Sequence, residues 1–354
     1  MSAEIIVSVV MPVYNEEKYI DKCIQSLLLQ DYPTENMEWI FVDGMSKDAT
    51  VEILNGYKET YPDLIRVYEN PNKIVPYAMN IGISNSKGKY IVRLDAHADY
   101  AKDYISKCVH YLDTTDAENV GGVAETKSHG FVGGCIAKML SSKFGVGNSQ
   151  FRTNGSSGYV DTVPFGAFRR EVFSKYGGYD ERLVRNQDNE MNFRIRKNGG
   201  KIYLADDIHL SYYCRDTVKG ISRMGHVNGK WNVITMKLCP GSMGLRHFIP
   251  LLFVLSVFGL LTLGLAGVLL GAFGVLDLGF HPALYLAPLA AELLLYLAMD
   301  VYFSAKKAEG LKELLLLMAL FPIFHVAYGT GSVKGLFKLC SKEYRKNTYK
   351  PEKI

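Results

Sequence analysis

The sequence predicts an α/β domain, a mostly parallel sheet with flanking helices, followed by transmembrane helices in its last third. Three observations lead there. Short β-branched runs alternate with helical patterns through the first half. Nearly every long apolar run lies after Phe248. At 354 residues the chain exceeds one average domain and has room for a full α/β unit plus an appendage. The change of composition falls near Pro240–Arg246, so residues 1–240 are expected to form the α/β domain and 241–354 the membrane part.

Ile5–Met11, Trp39–Val42, Leu64–Tyr68 and Tyr90–Leu94 read as strands. Between the first two, Ile20, Cys23, Ile24, Leu27 and Leu28 recur at helical spacing and make one apolar face. Asp48 is placed to cap a helix running from Ala49 towards Tyr61. Strands that alternate with helices build a parallel sheet, and such sheets bind ligands beyond the carboxyl ends of their strands. The loops after each strand are therefore where chemistry is expected. Gly121–Gly158, rich in Gly, Ser and Asn and weakly periodic, reads as irregular chain.

Phe248–Leu276 carries no charge, and Pro282–Phe303 carries only Glu292 and Asp300; each exceeds the roughly 20 residues that cross a bilayer. A third apolar segment, about 313–333, contains Pro322 and His325 and can span, lie at the interface or re-enter. Arg246, then Lys306, Lys307 and Lys312, then Lys334, Lys338, Lys342, Arg345, Lys346, Lys350 and Lys353 flank these segments. Keeping all three clusters on the cytoplasmic side favours a two-span hairpin with an incomplete third crossing. No basic, apolar and small-residue leader pattern opens the chain, so the expectation is a multi-pass protein of the cell membrane with its α/β domain in the cytoplasm.

A net charge of +4, without basic blocks interleaved by aromatics, argues against nucleic acid as partner. The six cysteines show no metal-finger or paired spacing, which argues against a disulfide framework or a zinc site.

The chemistry-bearing runs come in order. Met11-Pro12-Val13-Tyr14-Asn15-Glu16-Glu17 closes the first strand. Asp43-Gly44-Met45-Ser46-Lys47-Asp48 closes the second, where a carboxylate can accept from a base or ribose and a glycine admits close approach of backbone. Arg93-Leu94-Asp95-Ala96-His97-Ala98-Asp99 closes the fourth and offers carboxylate and imidazole ligands suited to a divalent cation. Val163-Pro164-Phe165-Gly166-Ala167-Phe168 follows, then Asn186-Gln187-Asp188-Asn189-Glu190 at a helix start, where the macrodipole favours an ionised carboxylate. Arg215, Arg223 and Lys230-Trp231 precede the membrane; the cations suit phosphate oxygens, or else are solvated or membrane-surface charges.

This series, from about Val7 to Trp231, resembles glycosyltransferase family 2, inverting enzymes of the GT-A fold that use nucleotide-diphospho-sugars. The resemblance implies that Pro12, Tyr14, Glu16, Asp43 and Ser46, with Asp95 and Ala96, hold the nucleotide. It implies a divalent metal on Asp95 and His97, with Asp99 as the fallback ligand. His97 replaces the family's usual second Asp, which makes Mn²⁺ more plausible relative to Mg²⁺. Asp188 takes the place of the general base, although an N-cap would also use it. Gly166, Ala167, Gln187, Arg215, Arg223, Lys230 and Trp231 fall on the donor-sugar, diphosphate and acceptor side. Processive members carry a QxxRW motif, but Met224 and Val227 stand where its Gln and Arg would be. The flanks, including His325-Val326-Ala327-Tyr328-Gly329-Thr330-Gly331, resemble the succinoglycan type of bacterial polysaccharide glycosyltransferases. The expected function is thus transfer of a hexose from a nucleotide sugar, UDP-linked, to a polyprenyl-diphosphate-linked saccharide. A processive synthase and a nucleotide-binding membrane scaffold without turnover are the alternatives.

Overall fold

The structure is a computed structural model that describes residues 4–152, 155–275, 281–341 and 352–354. Its elements run β1 (Val7–Val13), α1 (Ile20–Leu28), β2 (Met37–Asp43), α2 (Thr50–Thr60), β3 (Ile65–Glu69), α3 (Val75–Ser84) and β4 (Tyr90–Arg93). Next come β5 (Ala98–Tyr100), α4 (Tyr104–Thr114), β6 (Asn119–Lys127), α5 (Gly130–Leu140), α6 (Lys143–Val146), β7 (Gly158–Tyr159) and β8 (Ala167–Arg169). The described chain continues with α7 (Glu171–Tyr176), α8 (Gln187–Lys197), β9 (Ile202–Tyr213), α9 (Val218–Leu238), α10 (Ile249–Ala272), α11 (Ala287–Lys307) and α12 (Leu311–Leu339).

The expected α/β fold is present. Among the described residues one sheet has the order β3-β2-β1-β4-β8-β6-β9-β5, with β7 beside β9. It is parallel from β3 through β4 and again between β6 and β9; β8, β5 and β7 join antiparallel. Alternate residues of each central strand feed two cores. Val9, Met11, Trp39 and Phe41 face α1 and α4, while Val10, Ile40, Val42 and Ile91 face α3, α7 and α8. Burial on both faces explains why these strands read as unbroken apolar runs.

One expectation is corrected. The stretch 121–158 holds β6, α5, α6 and the start of β7 rather than irregular chain. Its glycines are packing residues: a Cβ on Gly121 would lie 2.7 Å from the Val163 Cβ, and one on Gly122 would lie 2.1 Å from the Ile208 carbonyl oxygen. Glycine in a strand interior marks close backbone approach as readily as a loop.

The three apolar segments are helices long and apolar enough to cross a membrane, by length and composition: Ile249–Ala272, Pro282–Lys307 and Leu311–Leu339. Leu276, Lys342, Arg345, Lys346 and Lys350 lie outside the described residues. α12 differs from the other two because it is laid against the α/β domain at both ends. Lys138 of α5 pairs with Glu309 at 2.9 Å and Glu313 at 2.7 Å, and Leu317, Leu320, Phe321 and Phe324 pack on Ile136, Met139 and Leu140. Further along, Gly331 and Gly335 of α12 lie against the α9 backbone at His226 and Lys230, and Gly229 of α9 lies against the α12 backbone at Tyr328. A Cβ on Gly229 would sit 1.9 Å from the Tyr328 carbonyl oxygen, and one on Gly331 would sit 2.0 Å from that of His226. Two small-xxx-small stripes thus bring the helix backbones together, a device suited to surroundings where the hydrophobic effect cannot drive helix pairing.

Replacing Gly331 with Val forces α12 off α9 and is expected to cost about 1–3 kcal/mol, read as a lower unfolding midpoint in detergent. Gly134→Ala in α5, where a Cβ meets nothing within 4 Å, leaves the midpoint unchanged.

Candidate active site

Parallel pairing of β1 with β2 and β4 brings their carboxyl ends to one edge, with Val13 opposite Asp43 and Val10 opposite Arg93. The loops after β1 and β2 are knitted together. The Asn15 N–H donates to Ser46 Oγ at 2.9 Å, and the Lys47 N–H donates to Asn15 Oδ1 at 2.9 Å. Asp43 accepts from the Ser46 N–H at 2.9 Å and its hydroxyl at 2.5 Å, so Asp43 and Ser46 shape the loop through each other. Asn15 and Met45 hold the left-handed backbone that this interlock requires, with φ of 54° and 65°. Asp48 accepts from the Thr50 N–H at 3.1 Å, at the helix entry expected of it. Pro12 ends the strand half-buried, and Tyr14 stays 45% exposed over the loop.

The turn after β4 places Asp95, Ala96 and His97 beside these loops. Glu16 Oε1 lies 3.3 Å from His97 Nδ1; that hydrogen bond, with the nearby Asp95 charge, raises the imidazole pKa against its burial. His97 Nε2 and Asp95 Oδ2 take no hydrogen-bond partner among the described residues. A carboxylate behind one ring nitrogen is the usual backing for a metal-ligating histidine. No group of three His, Cys, Asp or Glu able to hold a metal forms among the described residues. A two-residue holder nevertheless fits a hard divalent cation that keeps phosphate oxygens and water as its other ligands. The fallback Asp99 is engaged elsewhere: it accepts from Lys22 at 3.1 Å and from the Tyr213 hydroxyl at 2.9 Å.

α8 begins beneath this turn. Asn186, in the left-handed region at φ 65°, redirects the chain so that Gln187 and Asp188 open the helix at the site. Arg93, only 4% exposed, donates to Asp188 Oδ1 through Nη1 and lies 3.3 Å from Asp95 Oδ1 through Nη2. Burial by itself would lower the Arg93 pKa, but the two carboxylates raise it and keep the guanidinium charged. Beyond the macrodipole at the helix start, burial and Arg93 act on Asp188. Loss of hydration pushes its carboxyl up, and Arg93 is what pulls it back.

The remaining candidates spread out. Gly166 has no room for a side chain because a Cβ would meet Asn119 Oδ1 at 2.1 Å, and its carbonyl accepts from the Arg93 N–H at 3.0 Å. Ala167 is fully buried within β8. Both thus serve the sheet beside Arg93. Trp231 is buried with Leu183, Ile234 and Leu238, supporting the chain that leads to α8, and Lys230 lies over its ring at 5.6 Å. Arg215 is exposed and near enough to His97 to oppose its protonation, while Arg223 is exposed on α9.

Sequence reasoning missed Arg93, although a lone cation in an otherwise apolar strand was a readable signal. It also missed Asn186, whose amide donates to Asn232 Oδ1 of α9 at 2.8 Å and Thr235 Oγ1 at 3.2 Å. Asn232 in turn donates to the Tyr328 hydroxyl of α12. No local pattern announces a pairing across so many residues.

A family model described as glycosyl transferase family 2 matches residues 8–177. A dolichyl N-acetyl-alpha-D-glucosaminyl phosphate 3-beta-D-2,3-diacetamido-2,3-dideoxy-beta-D-glucuronosyltransferase of Methanococcus voltae is 30% identical over 220 residues, 60% of this chain and 68% of that protein. Succinoglycan biosynthesis protein ExoA of Rhizobium meliloti is 29% identical over 258 residues, 72% of this chain and 77% of that protein. Among solved structures, the mannosyltransferase PcManGT of Pyrobaculum calidifontis, in complex with GDP-Man and Mn²⁺, shares the fold. It has a TM-score of 0.60 and 19% identity, with 95% of this chain and 88% of that one covered.

If Arg93 bridges the two carboxylates, Arg93→Met and Asp188→Asn are expected to be non-additive by roughly 0.5–3 kcal/mol in a double-mutant cycle of thermal unfolding. Additive losses would place the bridge outside the folded state in solution.

Proposed function

Because the chain belongs to glycosyltransferase family 2, we propose that it moves a hexose, with inversion, from a UDP-sugar to a hydroxyl of a polyprenyl-diphosphate-linked saccharide. The observation that carries this reading is that buried Arg93 pairs with both Asp95 and Asp188, while His97, two residues after Asp95, is backed by Glu16. Asp188 accepts the proton of the acceptor hydroxyl while that oxygen attacks the anomeric carbon from the face opposite the nucleotide. Arg93 holds Asp188 ionised and aimed. Pro12, Tyr14, Asp43, Ser46 and Ala96 line the nucleotide side, and Glu16 serves there by orienting His97. Asp95 Oδ2 and His97 Nε2 would hold Mn²⁺ or Mg²⁺, which when bound neutralises charge on the departing diphosphate. PcManGT carries Mn²⁺, and imidazole suits that ion. Arg215 stands beside this turn for the diphosphate. The Methanococcus voltae relative is named for a dolichyl phosphate-linked acceptor and the Rhizobium meliloti relative for succinoglycan biosynthesis, which supports a lipid-linked acceptor in glycan assembly.

In this reading residues 1–240 are the catalytic unit and 241–354 the membrane part of a multi-pass cell-membrane protein, with α9 and α12 at the interface. α10 and α11 form the two-span hairpin. α12 stays on the catalytic side, since both its ends touch that unit and the Gly178 N–H donates to the Glu352 carbonyl at 2.7 Å. An impermeant maleimide applied outside intact cells should therefore leave the exposed Cys340 unlabelled and reach it only after lysis. Labelling from outside would sink the hairpin.

Radiolabel transfer from a panel of UDP- and GDP-sugars into a lipid extract tests the reaction. Asp188→Asn should abolish transfer while nucleotide binding survives. Asp188 works ionised, so the rate falls as pH drops through its raised pKa. Arg93→Met removes the opposing pull and should move that acidic limb to higher pH by roughly one to three units. An unmoved limb would exclude Asp188 as the titrating base.

A further inference from the structure

A cavity of about 540 Å³ lies between the catalytic unit and the apolar helices, walled by α6, α9, α10, α11 and α12. Much of its lining is apolar: Phe253, Met299, Phe303 and Phe324 contribute, with Tyr296 stacked on Phe253 at 4.6 Å between ring centres. Arg152, Arg185 and Arg246 also line it. Arg246 pairs with Asp161 at 2.8 Å. Arg152 and Arg185 have no carboxylate within ion-pair distance among the described residues; Arg152 rests instead on the Tyr212 ring at 5.3 Å. Cations therefore outnumber the acids that could neutralise them, and the surplus faces an apolar hollow. Such an amphipathic cavity suits a ligand with an anionic head and a hydrocarbon body.

Two of the lining residues link the cavity to the candidate active site. Tyr212 lines the cavity and also faces the His97 ring, with centroids 6.1 Å apart. Arg185 lies three residues before Asp188, on the chain that enters α8. Its α10 and α11 lining residues, Phe253 and Met299 among them, belong to helices with membrane-spanning length and composition.

We propose that this cavity is the acceptor-lipid site: Arg152, Arg185 and Arg246 take the phosphate oxygens of the isoprenyl diphosphate carrier, for which farnesyl phosphate is a minimal probe, and its chain runs past Phe253 and Met299. The assignment rests on the transferase reading, which requires an acceptor to approach Asp188 from the membrane side. An ordinary phospholipid would satisfy the same polarity. The carrier is favoured because Tyr212 of the lining also faces His97 and Arg185 stands three residues before the proposed base, so that a lipid bearing the acceptor sugar has a reacting group to present.

The test uses the full chain in nanodiscs and a photoreactive diazirine analogue of farnesyl phosphate. Labelled peptides should come from α10 and α11, and farnesyl phosphate should compete better than farnesol or phosphatidylglycerol. Met299→Trp, which fills the apolar part, and Arg185→Ala, which removes a phosphate contact, should each weaken capture about tenfold. UDP binding serves as the check that both variants fold. Labelling elsewhere, equal competition by phosphatidylglycerol or farnesol, or full capture by Met299→Trp would overturn the site. Failure of the transferase reading looks different: no nucleotide sugar is turned over by the unmodified protein, while farnesyl phosphate is still captured in the cavity.

Discussion

A buried guanidinium between two carboxylates organises this protein. A charge removed from water is tolerated only when paired, and breaking such a pair from one side costs about 3–5 kcal/mol where burial is complete. Arg93 stands on a strand with both faces covered, and Asp95 and Asp188 are its partners. The bridge fixes where β4 ends relative to where α8 begins, although these lie far apart in sequence. It also lets two acids share one site without repelling each other. Gly166, whose carbonyl accepts from the Arg93 N–H, is held beside that centre.

The second constraint is mechanical and ties the site to the membrane part. Glycines on α9 and α12 let the helices touch through their backbones. Across that seam runs the hydrogen-bonded series Asn186, Asn232 and Tyr328, which begins two residues before Asp188. The residue that sets the strained entry to α8 is thus held by a helix packed on an apolar helix. By contrast, α10 and α11 turn large apolar side chains outward, Phe258 at 68% and Leu294 at 66% exposure, as lipid-facing helices do. The apolar helices therefore divide by packing: α12 is laid along the α/β domain, while α10 and α11 keep outward apolar faces. The cavity lined by Arg152, Arg185 and Arg246 lies where the two meet.

Local pattern was enough for much of this. β1 to β4 and α1 announced themselves because a buried parallel strand and an amphipathic helix each leave a period in the chain. The boundary of the apolar helices was equally plain, since a bilayer selects by composition over about 20 residues. The motifs after β1, β2 and β4 and at α8 could be located in one dimension because strand ends in a parallel sheet converge regardless of detail. Gly121 and Gly122 misled because a glycine reports only that a side chain is missing; whether a loop or a neighbouring strand is the reason depends on Val163 and Ile208.

By itself the sequence determined the class of fold, the family, the order of the site loops and the presence of a membrane anchor, because each is written in nearest-neighbour periodicity, composition or contiguous motif. Only the tertiary structure decided that Arg93 bridges Asp95 to Asp188, that Glu16 backs His97, that Asp99 is taken by Lys22 and Tyr213, and that α12 lies along α5 and α9. Those are pairings between residues distant in the chain. Their energy comes from desolvation and close packing, which exist only once the partners have been brought together.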